Sequence, residues 1–195
     1  GVSPFDLELL RKEIKTPVIT FMWREDRLLD LENKMYNLIK KVSGKLSQIH
    51  GKLNLDFIEM IYIWKQRNKI VELHNILKEK FNNIDFAVAG LGKKFKFPEG
   101  ITDLRYENIN TKIERKWVDR YACSHVVLGM HGSNMLLPSA LAGSTIELMP
   151  NYKLGNYLDD LIINDAIDVY DAVFRYRILP LSASSKVISE EIDSI

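Results

Sequence analysis

Apolar residues in this chain fall into short runs, separated by segments in which they recur every three or four positions. The run Pro17-Val18-Ile19-Thr20-Phe21-Met22-Trp23 opens at a proline and is rich in β-formers, which predicts a strand. It ends at Arg24-Glu25-Asp26-Arg27, where Asp26 is placed to cap a helix. Leu28, Leu31, Met35, Leu38 and Val42 then share one helical face, and Ser43-Gly44 ends it. Between 45 and 64 the period is ambiguous. Gly51 breaks the pattern, and Phe57-Ile58-Glu59-Met60-Ile61-Tyr62-Ile63-Trp64 suits a strand or a helix.

The reading sharpens again at Ile70, Leu73, Leu77 and Phe81, one face of a helix that Asn82-Asn83 stops. Ile84 to Gly90 predicts a second strand, Leu91 to Gly100 a loop, and Ile101 to Tyr106 a third strand. Thr111-Lys112-Ile113-Glu114 has capping-box spacing and opens a helix to about Cys123, with Ile113, Trp117, Tyr121 and Ala122 apolar. A strand at His125–Met130, a helix near 133–142 and a strand at 144–150 follow. Pro138 either kinks that helix or starts a second short turn, where its missing N–H is harmless. Leu158 to Ile163 predicts a helix, Val169 to Leu179 an edge strand, and Val187 to Ile195 a short terminal helix. Strands alternating with helices predict an α/β fold: a Rossmann-like parallel sheet with helices on both faces. We read 1–195 as one such domain, with 180–195 as its C-terminal tail or helix. No repeat, low-complexity stretch or linker interrupts it.

Composition narrows the function classes. Lys+Arg and Asp+Glu nearly cancel at 27 and 26, so a broad nucleic-acid surface is disfavoured. At 46% hydrophobic the chain can build one core. Cys123 is the lone cysteine, so no intrachain disulfide forms; it is expected as a small buried side chain in a helical segment. No apolar run reaches the ~18–20 residues of a membrane span. The first residues lack a signal-peptide pattern and an initiator Met, as in a processed chain or an excised domain. A cytoplasmic location is expected, with membrane association left open.

Candidate chemistry concentrates at predicted strand ends. In Val126-Val127-Leu128-Gly129-Met130-His131-Gly132-Ser133-Asn134-Met135-Leu136-Leu137, an apolar run meets a small polar turn and a second apolar segment. A strand, a loop and a helix start there would aim backbone N–H groups and a helix dipole at one spot, which suits a phosphate. Gly132 permits close backbone approach; Ser133 and Asn134 add a hydroxyl and an amide. The alternative is an ordinary turn with Ser133 or Asn134 as N-cap. His131 is read as a ligand contact ahead of a base, against a histidine that merely orients its own loop. Arg24 and Arg27 follow the first strand, so a parallel sheet brings them to the same edge; otherwise they pair with Glu25, Asp26 or Asp30. Glu147 interrupts an apolar strand and needs a partner: a sugar hydroxyl or an arginine. Lys93-Lys94-Phe95-Lys96 reads as a solvated loop, and Tyr170, Phe174, Tyr176 and Arg177 as packing. His50, His74, His125 and Cys123 lack metal-ligand spacing, and no dinucleotide, P-loop, nucleophile-elbow or zincin motif is present.

The segment Cys123 to Pro138, ending in Thr145-Ile146-Glu147-Leu148-Met149-Pro150, resembles the C-terminal half of family sixty-one glycosyltransferases. That group includes EGF-domain O-GlcNAc transferases and plant arabinoxylan transferases. Thr20 to Arg27 resembles the family's strand and arginine-bearing loop; the likeness covers 122–150 and, less closely, 18–30. It implies a GT-B enzyme in which this half binds a nucleoside-diphosphate sugar and a second domain completes the acceptor site for a glycan or protein hydroxyl. Arg24, Arg27 and the loop His131, Gly132, Ser133 and Asn134 would hold the diphosphate, with Arg24 and His131 as catalytic candidates and Glu147 near the ribose or sugar. No metal cofactor is implied. Polysaccharide pyruvyl transferases carry a similar His-Gly turn, and a non-catalytic α/β interaction module is the third reading.

Overall fold

The structure, a computed structural model, describes residues 16–25, 53–153 and 176–195. Among these, six strands pair into one sheet: β1 (Val18–Arg24), β2 (Asp85–Leu91), β3 (Ile101–Tyr106), β4 (Val126–Met130), β5 (Ser144–Met149) and β6 (Tyr176–Pro180). Their order is β3-β2-β1-β4-β5-β6 and every pair is parallel. The expected α/β fold with a Rossmann-like parallel sheet is therefore present. The predicted helices at 28–42 and 158–163 lie outside the described residues, as do Arg27, His50, Tyr170 and Phe174.

Helices cover both faces. On one, α1 (Leu53–Phe81) and the terminal α4 (Ser185–Asp193) pack Ile63, Ile70, Leu73, Leu77, Ile188 and Ile192 against Ile19, Phe21, Val88 and Leu128. On the other, α2 (Thr111–Ala122) and the short α3 (Leu136–Leu141) enclose a smaller core of Met22, Ala89, Trp117, Tyr121, Val127 and Met135. The ambiguous run at 57–64 belongs to α1. Its period is hard to read because Met60, Ile61 and Trp64 are exposed while Ile63 is buried, so apolar residues surround the helix. Asn82, at φ 56°, takes the left-handed conformation that ends α1.

Three local expectations are corrected. The N-cap of α2 is Asn110, whose Oδ1 accepts from the Ile113 N–H at 3.0 Å; Thr111 is already helical, so the capping box does not form. Cys123 is the exposed C-cap of α2 rather than a buried side chain, because the helix ends before it can turn inward. Helix α3 spans only 136–141, shorter than 133–142; Pro138 lies in its first turn, where no N–H partner is lost.

Two arginines, Arg120 half-buried and Arg105 buried, hold the ends of the sheet. At the amino edge, Arg120 reaches from α2 to Asp85 at 2.6 Å and to Thr20 Oγ1 at 2.8 Å. Toward the carboxyl edge, Arg105 is 1% exposed and stacks over Trp23 and Phe97. Its guanidinium makes two bonds of 2.9 Å to the Asp103 carboxylate and donates to the carbonyls of Lys94 and Phe95, fixing the loop after β2. Lys93, Lys94 and Lys96 of that loop are exposed, as a solvated loop requires.

Burial raises the Asp103 carboxyl, but the hydrogen bonds and charge of Arg105, with Lys93, outweigh it and hold the group below its ordinary range. Its contribution is complete above the unfolded value of about pH 4 and is lost as pH falls through the lower folded value. Asp103→Asn should cost about 2–3 kcal/mol at neutral pH by stranding a buried guanidinium, and should flatten the acid limb of the urea-denaturation midpoint.

His125 supplies a second, opposite titration. Its Nδ1 accepts the Val18 N–H at 2.9 Å, and burial lowers its proton affinity. The unfolded chain therefore takes up this proton first, so stability is full above about pH 6.5 and declines as pH falls toward the folded value. His125→Asn keeps an acceptor without a titration, and should flatten the urea midpoint between about pH 5 and 7.

Candidate functional site

The strand order reverses between β1 and β4, with α1 ahead of β2 on one face and α3 after β4 on the other, an arrangement that opens a crevice at the carboxyl ends of the two strands. Met22 and Arg24 share one face of β1 by the two-residue pleat and point to the α2–α3 side; Trp23 points to the α1 core. A cleft of about 460 Å³ lies there, within the range that holds small ligands. Met22 and Arg24 of β1, Gly90 and Leu91 of β2, and Ser133 and Asn134 of the loop after β4 form its sheet end. One wall is the α2 face bearing Glu114, Trp117, Val118 and Tyr121, and Leu137 and Pro138 of α3 stand opposite. Ile109 completes the rim.

Glycines make this packing possible. Gly129 pairs with Met22 in the ladder, and a Cβ there would sit 2.7 Å from both Met22 Cβ and Met135 Sδ. Gly90 has φ 135°, and a Cβ would meet the Trp23 carbonyl oxygen at 2.1 Å. Gly132, at φ 147°, serves the turn in which its carbonyl accepts from the Met135 N–H at 2.8 Å. Ser133 and Asn134 lie in this turn, one step before α3, so neither is the N-cap; that position is Met135, with no side-chain bond. The polar groups offered to the cleft are thus those of the turn itself, and the dipole of a six-residue helix adds little.

His131 and Glu147 are brought together. The register Met130↔Leu148 places the residue after β4 beside the end of β5, and His131 Nδ1 bonds Glu147 Oε2. At 7% and 3% exposed, the two are nearly sealed off, and neither lines the cleft. With Glu147 ionised it accepts only, so Nδ1 carries the hydrogen. The His131 N–H also donates to the Leu148 carbonyl at 3.0 Å, which extends the ladder into the loop. Glu147 therefore has a histidine as partner, where sequence reasoning offered an arginine or a sugar hydroxyl. Glu25, offered as a partner of Arg24, accepts instead from the Lys94 N–H at 2.8 Å. The Arg24 carbonyl accepts from Gln66 of α1 at 3.3 Å, which ties the end of β1 to that helix.

No protein-family model, curated protein or solved structure matches this chain. Among the described residues, the cleft is largely apolar and carries one cation, one carboxylate, a hydroxyl and an amide. Burial pushes the Tyr121 phenol above its ordinary range, so it stays neutral. Among the described residues, no cluster of His, Cys, Asp and Glu has the arrangement of a metal site. A second hollow, about 620 Å³, lies between α1 and the start of α4, on the other face. Its Ser185 hydroxyl bonds Glu72 at 2.8 Å, a contact between the two helices. Sequence reasoning missed Ile109, Glu114, Trp117 and Leu137 as cleft residues. Their signal was present: Glu114, Trp117, Val118 and Tyr121 are spaced as one helical stripe that mixes a carboxylate with apolar groups.

Glu147→Ala should lower stability by about 1–3 kcal/mol, since it leaves a buried imidazole N–H without its acceptor. Urea denaturation gives the loss. Nitrogen-detected NMR should show the Nδ1–H form of His131 in the parent and its loss in the variant.

Proposed function

We propose that this chain is the donor-binding half of a metal-independent glycosyltransferase of GT-B type, and that its carboxyl-edge cleft takes a nucleoside-diphosphate sugar. One observation carries the reading: Arg24 at the end of β1 and Ser133-Asn134 after β4, distant in sequence, line a single cleft at the point where the strand order reverses. An arginine with a hydroxyl and an amide beside it matches a diphosphate, and the apolar walls match a nucleoside. The apolar lining favours that ligand over phosphoenolpyruvate, which has little surface to bury.

In this reading the acceptor hydroxyl attacks the anomeric carbon and gives its proton to a base of the second domain, the bond to the diphosphate breaks, and the charge left on the diphosphate is stabilised by Arg24 and the turn. His131 acts as a positioning residue: backed by Glu147, it holds the turn that presents Ser133 and Asn134. A second domain supplies the acceptor, a glycan or protein hydroxyl.

Calorimetric titration without added metal tests the assignment. Saturable binding of a nucleoside diphosphate is expected, and Arg24→Ala should weaken it about tenfold or more while weakening the matching nucleoside by less than about threefold. Equal losses for both would remove Arg24 from the phosphate site. No binding to any nucleoside diphosphate would overturn the reading.

A further inference from the structure

We infer that the cleft selects guanine, with the Glu114 carboxylate reading the base; this rests on the nucleoside-diphosphate reading above. Glu114 lines the cleft from the first turn of α2. Capping does not occupy it, because Asn110 caps the helix and Glu114 falls one position past the place from which a capping-box carboxylate reaches back. Among the described residues, no hydrogen bond or ion pair takes up its side chain. Among the described residues, it is the one acidic side chain lining the cleft.

The surroundings suit a planar base. Trp117 lies one turn along the same helix, and the Ile109 and Leu137 side chains remain 51% and 52% exposed at the rim. Exposed aliphatic groups at a cleft mouth lose their contact with water when a flat aromatic ring enters between them. Arg24, Ser133 and Asn134 lie at the sheet end and are assigned to the diphosphate, which leaves the α2 wall for the base.

Hydrogen-bond inventory then selects among bases. A carboxylate offers two parallel acceptors and no donor. Guanine alone among the common bases presents two adjacent donors, N1–H and the exocyclic N2 amine. Uracil flanks its single N3–H with carbonyl oxygens that the carboxylate repels. Adenine and cytosine each set one amine beside a ring acceptor. Bidentate pairing of this kind discriminates by about tenfold or more.

The whole chain is titrated with GDP, IDP, UDP and ADP. GDP should bind about tenfold or more tighter than UDP or ADP, and IDP, which lacks the exocyclic amine, should fall between. Glu114→Gln should abolish the preference, since Gln offers one acceptor and one donor and so matches uracil better than guanine. The residue is exposed, and an unchanged urea midpoint confirms that the variant is folded. UDP or ADP binding within about threefold of GDP, with Arg24 still required, would overturn the guanine assignment and leave the diphosphate site standing. A loss in Glu114→Gln shared equally by all four would place ribose hydroxyls at this carboxylate and overturn it as well. Failure of every diphosphate to bind would overturn both readings.

Discussion

The pairing of β1 with β2 on one side and β4 on the other is the constraint on which this molecule depends. Parallel neighbours cannot be joined by a hairpin, so each connection must cross a face of the sheet. Strand order grows in one direction from β1 to β3, and then the chain returns across the sheet to β4 and grows in the other. Helices α2 and α3, which flank β4, thereby lie on the face opposite α1, and the terminal α4 returns to the α1 face. Among the described residues, a cleft opens at the carboxyl edge beside β1 and the loop after β4. The cleft is a consequence of topology before any side chain is considered.

Close packing at the seam keeps that geometry narrow. Met22 and Met135 meet over Gly129, where even a methyl group would intrude. The same contact pulls the turn at 132–135 toward β1 and so brings Ser133 and Asn134 to the cleft that Arg24 lines. The His131–Glu147 pair anchors the other side of the turn through a side chain buried in β5. A buried ionisable pair gains little net stability over apolar packing but specifies one arrangement of the groups attached to it.

Cations are sorted by position. Arg120 and Arg105 each meet a carboxylate and backbone carbonyls, one at the amino edge and one under the loop after β2, and both serve the scaffold. Arg24 lines the cleft, to which its position in the pleat directs it. Arginines of similar appearance in the sequence thus stand in different surroundings, decided by which edge and which face each occupies.

Much of the sheet was legible because each strand is a short apolar run bounded by turn residues, and that pattern reflects burial on both faces. Val18–Arg24, Asp85–Leu91 and Ser144–Met149 stand within one residue of where periodicity puts them at either end. The reading weakened where the local pattern admits two answers. The first half of α1 has apolar residues on its exposed side. Glu114 matches a local capping pattern, yet Asn110 takes the cap.

By itself, then, the sequence determined the fold class, the strands and the carboxyl-edge positions of Arg24 and the 131–134 turn, because these follow from local period and from the parallel arrangement. Tertiary structure alone decided the register that pairs His131 with Glu147, the burial of Arg105 between two aromatic rings, and the α2 stripe that walls the cleft. Each of these depends on distances between elements, and a one-residue slip in register, invisible in the local pattern, would turn Glu147 to the opposite face.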